Sequence, residues 1–187
     1  MFKKIISSFI IFFAMNSSAM SFNTDTFVGV GTGLGFVKQS EKGGSKNEDG
    51  TDTSTLLILK AGVVIEDFRR VSFIYNPSYL SGTRINTFLG AFDYILPIDY
   101  SRSKLFLGAH LGFTNVEKKS LEGSNATDFV YGAQFGILND IAHNLELEIG
   151  TKFTKYDIDK NYKENGADVK YKLDRAIDFY ATINYRF

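Results

Sequence analysis

The final stretch of the chain, LDRAIDFYATINYRF (Leu173–Phe187), decides the fold. Side chains of a β-strand alternate between two faces, so residues two apart lie on the same face. One face of this stretch is apolar, with Ile177, Phe179, Ala181, Ile183, Tyr185 and Phe187. The other is mostly polar, with Asp178, Tyr180, Thr182, Asn184 and Arg186. The pattern predicts an amphipathic strand, which would suit either a soluble sandwich or a barrel with an apolar exterior.

Composition narrows the class of protein. The chain of 187 residues has the length of one ordinary domain and carries 21 basic and 21 acidic residues, so its charge suggests no nucleic-acid partner. It contains no Cys, which excludes disulfides, thiolate metal sites and thiol nucleophiles. The 17 Gly, 18 Phe and 10 Tyr residues favour many twisted, aromatic-rich strands. We predict no cofactor.

The amino-terminal residues are typical of a secretory signal peptide. Lys3 and Lys4 precede an apolar run, Ile5–Met15, that is too short to span a bilayer, and small residues follow up to Ala19. We therefore predict a signal peptide over residues 1–19 and a single β-domain over residues 20–187. No later segment is a continuous apolar run of transmembrane-helix length, so a membrane location would require strands.

The first segment after the signal peptide is a glycine-rich strand and not a nucleotide-binding loop. In TFVGVGTGLGFVK (Thr26–Lys38) the glycines recur strictly at every second position. A dinucleotide-binding loop needs a different spacing, between a strand and a helix. The period of two predicts a strand with small residues where the wall of a barrel bends.

Six further segments alternate in the same way, which brings the total to eight. They are Leu56–Glu66, Arg70–Asn76, Asn86–Leu96, Leu105–Phe113, Phe129–Leu138 and Leu145–Phe153. The assignment of faces is least clear for Asn86–Leu96, because both of its faces are fairly apolar. We expect Pro77 to end the third strand, since proline cannot donate to a strand ladder.

The connections alternate between longer and shorter segments. The longer ones are predicted as polar loops over Lys38–Thr53, Pro77–Arg84, Thr114–Thr127 and Tyr156–Lys172, and the shorter ones as turns over Glu66–Arg69, Pro97–Ser103 and Asn139–Asn144. This alternation places the longer loops on one rim and the tight turns on the other. It predicts an all-β, eight-stranded antiparallel up-and-down transmembrane β-barrel.

Charge indicates which face of the predicted barrel points outward. The apolar faces contain no charged residue, whereas the opposite faces carry Lys60, Arg70, Lys152 and Arg186 against Asp93, Glu146, Glu148 and Asp178. A Lys or Arg on the lipid face near the bilayer centre costs about 2–4 kcal/mol. We therefore predict that the apolar faces contact lipid and that these eight residues form an interior charge network with Gln134 and Tyr180. Such a network would plug the barrel.

With these features, the sequence resembles the small bacterial outer-membrane barrels of the OmpA/OmpX and opacity-protein surface-antigen type. The resemblance is carried by the signal peptide, the eight alternating segments, the glycine-rich first strand, LGAHLGF (Leu107–Phe113) and the terminal YRF. It implies a location in the bacterial outer membrane, contact with membrane lipid and lipopolysaccharide, and often surface adhesion. It also implies that the barrel-insertion machinery reads Ala181, Ile183, Tyr185 and Phe187.

Three functions remain open on the sequence. The first is a non-enzymatic barrel that presents extracellular loops for surface contact, adhesion or envelope integrity, with a possible extracellular ligand. The second is a porin-like conduit. The third is a lipid A-modifying enzyme, for which His110, with Ser72 or Thr114 as a partner, is the candidate; a hydrogen-bonded interior histidine is the favoured interpretation.

No metal site is predicted. Asp157, Asp159 and Asn161 have the spacing of a calcium loop, but Tyr162 stands where that loop requires Gly, and Asp168 stands where it requires Glu.

Overall fold

The computed structural model describes residues 23–43, 46–80, 83–98, 101–118, 126–164 and 167–187. Within them lie eight strands: β1 (Thr24–Gly43), β2 (Lys46–Ile65), β3 (Arg69–Leu80), β4 (Thr83–Pro97), β5 (Ser103–Lys118), β6 (Ala126–Ala142), β7 (Leu145–Glu164) and β8 (Ala167–Arg186). The predicted signal peptide lies outside the described residues and stays a prediction. None of the described residues belongs to a helix that could cross a bilayer.

The eight strands form one closed antiparallel barrel in sequence order, as predicted. The closure joins β1 to β8, with Phe27 opposite Arg186 and Val30 opposite Ile183. The backbone N–H of Phe187 donates to the carbonyl of Thr26 at 3.0 Å, so the terminal residue also contributes to the seam. Closure gives every strand two neighbours over the body of the barrel and removes the exposed edges of an open sheet.

The strand register shows that the strands are tilted. The row of paired residues that starts at Phe27 returns to β1 at Val37, ten residues further along the strand, after passing Gly62, Ser72, Ala91, His110, Gly132, Thr154 and Ala176. A stagger of this kind requires the strands to incline to the barrel axis, typically by about 35–45°.

The two faces of every strand lie as predicted. On β4, whose faces the sequence did not clearly distinguish, Phe88, Phe92 and Tyr94 are exposed, while Leu89 and Asp93 are buried. Within the apolar belt, the exposed face of the strands is therefore the apolar one, and the buried face carries the charges.

The tight turn between β2 and β3 lies where it was expected. Glu66 and Asp67 both have positive φ, at 53° and 62°, and the N–H of Phe68 donates to the carbonyl of Ile65 at 3.4 Å. Two successive left-handed residues match the right-handed twist of the flanking strands, which is why this geometry closes short hairpins.

Two of the predicted long loops are largely strand. β1 and β2 remain paired as far as Gly43 and Lys46, and β7 and β8 as far as Glu164 and Ala167. The prediction of solvated loops over Lys38–Thr53 and Tyr156–Lys172 was therefore wrong in extent. Polar residues continue a strand here because a neighbouring strand satisfies the backbone even where no apolar face is buried.

Pro77 does not end β3, contrary to expectation. It is buried and paired with Asn86 of β4, and β3 runs on to Leu80. On its other side the register with β2 skips from Tyr75 to Ser78. The missing N–H of proline thus interrupts one of the two ladders while the other continues.

Candidate functional site

The barrel interior is organised around the carboxylate of Glu148. Lys60 Nζ donates to its two oxygens at 2.7 and 2.9 Å, and Arg70 Nη1 donates at 2.8 Å. The hydroxyl of Tyr180 donates at 2.8 Å and the amide of Asn184 at 3.1 Å. The donors lie on three strands, β2, β3 and β8, and Glu148 lies on β7, so one carboxylate connects four strands across the interior.

Asp93 extends this cluster toward β4 and β6. Arg70 Nε donates to one of its oxygens at 2.8 Å, and the amide of Gln134 donates to the other at 2.6 Å. Arg70 therefore bridges two carboxylates, Asp93 and Glu148, and its guanidinium lies 4.9 Å from the ring centroid of Phe106.

Two further ion pairs complete the interior ionic network. Lys152 and Asp178 pair at 3.1 Å between β7 and β8. Nearer the tight turns, Arg186 pairs with Glu146, which also accepts a hydrogen bond at 3.2 Å from Asn184. The structure thus places all eight predicted charged residues in ion pairs. Gln134 and Tyr180 make the contacts given above.

Asn184 also belongs to the network, although it was not among the predicted members. It lies on the polar face of β8, and its amide spans Glu146 and Glu148, which are two residues apart on β7. The alternation of the last strand was the available signal, because it already assigned Asn184 to the buried face.

These charges can remain buried because each has a partner of opposite charge. Isolated charges would be strongly unfavourable inside a protein, whereas paired and hydrogen-bonded ones are tolerated. Glu148 and Asp93 are both fully buried, at 0% exposure, so these contacts compete little with water.

Buried apolar side chains lie in the interior toward both ends of the barrel. Toward the tight turns lie Phe27, Val64, Ile95, Phe106 and Leu138, and toward the long hairpins lie Val37, Ile85, Val116 and Leu173. All of them are buried. In the part of the barrel that the structure describes, apolar layers thus flank the central ion pairs on both sides, whereas the Arg186–Glu146 pair lies beside the turn-side layer, with Arg186 paired in register with Phe27.

His110 is buried and its surroundings differ from those of a catalytic histidine. Its Nε2 lies 3.2 Å from the hydroxyl of Thr154. The hydroxyl of Thr114 is instead bonded to that of Thr87 at 3.0 Å, and neither His110 Nδ1 nor Ser72 Oγ has a hydrogen-bond partner among the described residues. Among the residues that the structure describes, His110 thus has a hydroxyl partner, but no hydrogen bond to Ser72 or Thr114 and no orienting carboxylate.

The exterior is a belt of exposed apolar side chains. On β5, for example, Leu105, Leu107, Leu111 and Phe113 are between 43% and 62% exposed. Aromatic pairs lie at both ends of the belt. Toward the long hairpins, the ring centroids of Phe36 and Phe179 are 6.1 Å apart, and toward the tight turns, those of Tyr185 and Phe187 are 6.0 Å apart. The predicted insertion residues all lie on this exposed face: Ala181, Ile183, Tyr185 and Phe187.

Within the described ranges there is no cluster of three or more His, Cys, Asp or Glu side chains that could hold a metal ion. The side chains of the calcium-like spacing, Asp157 to Asp168, lie outside those that the structure describes.

A closed antiparallel barrel with an apolar exterior and a charged interior defines a class of protein, the bacterial outer-membrane β-barrels. No protein-family model and no curated protein matches the sequence significantly.

Solved structures do match, and the shared feature is the fold. The crystal structure of neisserial surface protein A (NspA) has a TM-score of 0.65 and 18% identity, covering 87% of this chain and 97% of the other. The solution structure of outer membrane protein H (OprH) from P. aeruginosa has a TM-score of 0.58 and 24% identity, and the match covers 87% of this chain and 99% of OprH. The crystal structure of OprG from Pseudomonas aeruginosa has a TM-score of 0.54 and 13% identity, and the match covers 87% of this chain and 96% of OprG. The fold is thus that of the small outer-membrane barrels, consistent with the OmpA/OmpX-like resemblance.

Proposed function

We propose that this protein is a non-enzymatic outer-membrane barrel that anchors a surface projection and uses it for contact outside the cell, in adhesion or in maintaining the envelope. The observation that carries the proposal is the length of four adjacent strands. β1, β2, β7 and β8 each contain 20 residues, whereas β3 has 12 and β4 has 15.

The additional length lies at the end of the barrel where β1 turns into β2 and β7 turns into β8. A membrane-spanning strand needs about 9–11 residues, and on β1 the exposed apolar face runs from Val28 to Phe36. Beyond it, β1 pairs with β2 up to Gly43 and with β8 up to the Lys42–Lys170 pair. The four strands β2, β1, β8 and β7 therefore continue past the apolar belt as one sheet, on one side of the barrel.

A paired sheet suits a contact surface, because neighbouring strands fix the positions of the residues it presents. A hairpin that merely connected two spanning strands could be far shorter, since two residues suffice for an antiparallel turn.

The porin-like alternative is not supported by the interior. Eight strands enclose a space just wide enough for side chains, and here ion pairs and two apolar layers occupy it. Purified protein in planar bilayers should therefore give no steady conductance steps. Reproducible steps of one size would favour the conduit.

The proposal is tested by shortening the projection. Two variants of the full-length protein replace residues 40–50 and 159–171, respectively, with a short turn, and matched controls replace the same residues with Gly/Ser sequence of equal length. Cells that produce each variant are compared for attachment to surfaces and to each other, and for tolerance of a bulky antibiotic. Heat-modifiable migration on gels verifies that the barrels have folded.

We expect the full chain to raise attachment or tolerance severalfold over cells without it, and the shortened, folded variants to lose that gain. The proposal is wrong if the full chain changes none of these properties, or if both shortened variants retain the whole effect.

A further inference from the structure

The backbone pairing between β2 and β3 is interrupted at one place. Among the described residues of these strands, it skips Leu57 opposite Pro77 and Ile58 opposite Asn76, and it continues in the same register on both sides. β3 and β4, in contrast, pair through Pro77 without a gap. The nitrogen of Pro77 therefore faces β2, where the carbonyl of Leu57 lacks the backbone donor that a residue other than proline would supply.

The side chain of Asn76 lies in this gap and is buried. Its amide nitrogen donates to the carbonyl of Leu57 at 3.0 Å, and its amide oxygen accepts from Lys152 Nζ at 2.7 Å. The reverse orientation of the amide would place its oxygen against a carbonyl and its nitrogen against an ammonium group, so the two partners decide which end faces β2. Leu57 thus receives from a side chain the hydrogen bond that the backbone cannot give.

Lys152 holds this amide from the other side of the barrel. It lies on β7 and pairs at 3.1 Å with Asp178 of β8, and both side chains are 3% exposed. An ammonium group has three donors and no acceptor, so Lys152 can bind Asp178 and the oxygen of Asn76 together. The ion pair therefore favours the orientation in which the nitrogen of Asn76 faces Leu57.

On its other side, β3 has additional contacts with β4. The hydroxyl of Tyr75 donates to Asn86 Oδ1 at 3.1 Å, and its ring stacks on that of Phe88, with 4.8 Å between the centroids. The seam that depends on Asn76 is thus the one between β2 and β3. Since β2 is an outer strand of the projection and β3 is the shortest strand, this seam is also where the projection meets the shorter wall of the barrel.

We propose that Asn76 is a positioning residue that closes the barrel wall between β2 and β3. Its amide supplies the donor that Pro77 lacks, and the Lys152–Asp178 pair keeps the amide in place. A backbone N–H is fixed in a strand, whereas a side chain can rotate away from its partner. Closure of this seam therefore depends on an interior ion pair, and loss of the amide lets β2 and β3 separate locally while the other seams stay closed.

The test is backbone hydrogen exchange, measured by NMR on the full chain folded into phosphatidylcholine nanodiscs. The variants are Asn76→Ala, Pro77→Ala and the double variant Asn76→Ala/Pro77→Ala. Exchange is followed at Tyr75 and Tyr79, whose amides face β2 because they lie two residues from Pro77. The amide of Ser78 faces β4 and serves as a reference within the same strand.

Thr87→Val is the matched control for the loss of a buried polar side chain. Thr87 is paired with Asn76 on the neighbouring strand β4 and is also buried. Its hydroxyl is bonded to that of Thr114, so the change leaves the seam between β2 and β3 untouched.

We expect Asn76→Ala to accelerate exchange at Tyr75 and Tyr79 about tenfold, because local opening no longer breaks a hydrogen bond to a buried carbonyl. Exchange at Ser78 should change little, and Thr87→Val should exchange at Tyr75 and Tyr79 like the unaltered protein. In the double variant a backbone N–H at position 77 can donate to Leu57. The rates at Tyr75 and Tyr79 should then return toward those of the unaltered protein, and the new amide at position 77 should itself be protected.

Unchanged exchange in Asn76→Ala would overturn the inference, as would equal acceleration at Ser78 or a double variant that exchanges as fast as Asn76→Ala. If heat-modifiable migration shows that Asn76→Ala does not fold, the double variant decides. A folded double variant with a protected amide at position 77 supports the role of Asn76, and a double variant that also fails to fold removes it.

Discussion

Lys60 Nζ lies 2.7 Å from Glu148 Oε1, although the two residues are 88 positions apart in the chain. Both side chains are at most 1% exposed. This contact connects β2 with β7 across the barrel interior, and the same carboxylate binds Arg70. Glu148 is consequently the carboxylate that pairs with two of the four interior cations, Lys60 and Arg70.

Replacing Glu148 with Gln should therefore destabilise the barrel markedly. The change leaves Lys60 and Arg70 with one fewer negative partner, and removing one member of a buried ion pair typically costs about 3–5 kcal/mol. Because the chain has no Trp, unfolding in urea is best followed by heat-modifiable migration and circular dichroism. Glu66→Gln is the control, since the Glu66–Arg69 pair is exposed at 3.6 Å and such pairs contribute about 0–1 kcal/mol. Equal losses for the two variants would argue against a network centred on Glu148.

Two glycines on neighbouring strands should respond differently to alanine. A Cβ at Gly112 would overlap the carbonyl oxygen of Phe88, whereas at Gly90 the nearest atom is 3.9 Å away. Gly112→Ala should lower the free energy of unfolding by about 1–3 kcal/mol, the usual cost of overpacking, and Gly90→Ala should change it by no more than about 0.5 kcal/mol. The same unfolding measurement checks both. The opposite order would mean that the inward and outward faces are exchanged.

A charge placed on the exterior should cost more at mid-belt than at its edge. Leu111 and Leu105 are both exposed on β5, and Leu105 lies at the turn-side end of the strand. Leu111→Arg should destabilise the barrel in lipid vesicles by about 2–4 kcal/mol and Leu105→Arg by about 0–1 kcal/mol. The comparison is made by reversible unfolding from vesicles. Equal and negligible costs would indicate that water, not hydrocarbon, surrounds this face.

The terminal residue should matter more for insertion in cells than for stability. Phe187 is exposed at 65% and makes the last backbone contact of the seam through its N–H, which an alanine would retain. We expect Phe187→Ala to reduce the folded protein in the outer membrane severalfold, with little change in unassisted folding into vesicles. Phe179→Ala, at an exposed position of the same strand, should have a smaller effect on insertion. If the two variants accumulate equally, Phe187 is not part of an insertion signal.

Alternation was sufficient to predict which residues face inward, because the period of two survives in every strand within the apolar belt. Alternation could also predict which charged residues lie in the interior. It could not give their pairing, since Lys60 meets Glu148 only through the closure of the barrel and its stagger. The local sequence pattern contains no information on the closure of the barrel or on its stagger.

Beyond the belt the sequence was a poorer guide. Lys38 to Lys42 is polar enough for a loop, yet it pairs with strands on both sides. The bulge at Asp174, which buries Leu173 and exposes Lys172, breaks the alternation from which the prediction was made. Both features depend on neighbouring strands and not on the local order of residues.

The orientation of the two faces is tested most directly on the unaltered protein. Nuclear Overhauser effects between lipid acyl-chain protons and side-chain methyl groups identify the residues that touch hydrocarbon. The structure predicts such effects for the exposed methyls of Val30, Leu107, Leu111 and Ile149, and none for the buried methyls of Ile58, Ile74, Leu89 and Leu138. Acyl-chain contacts from the second set, with water contacts from the first, would contradict a barrel whose apolar face lies against the membrane and whose charges lie inside.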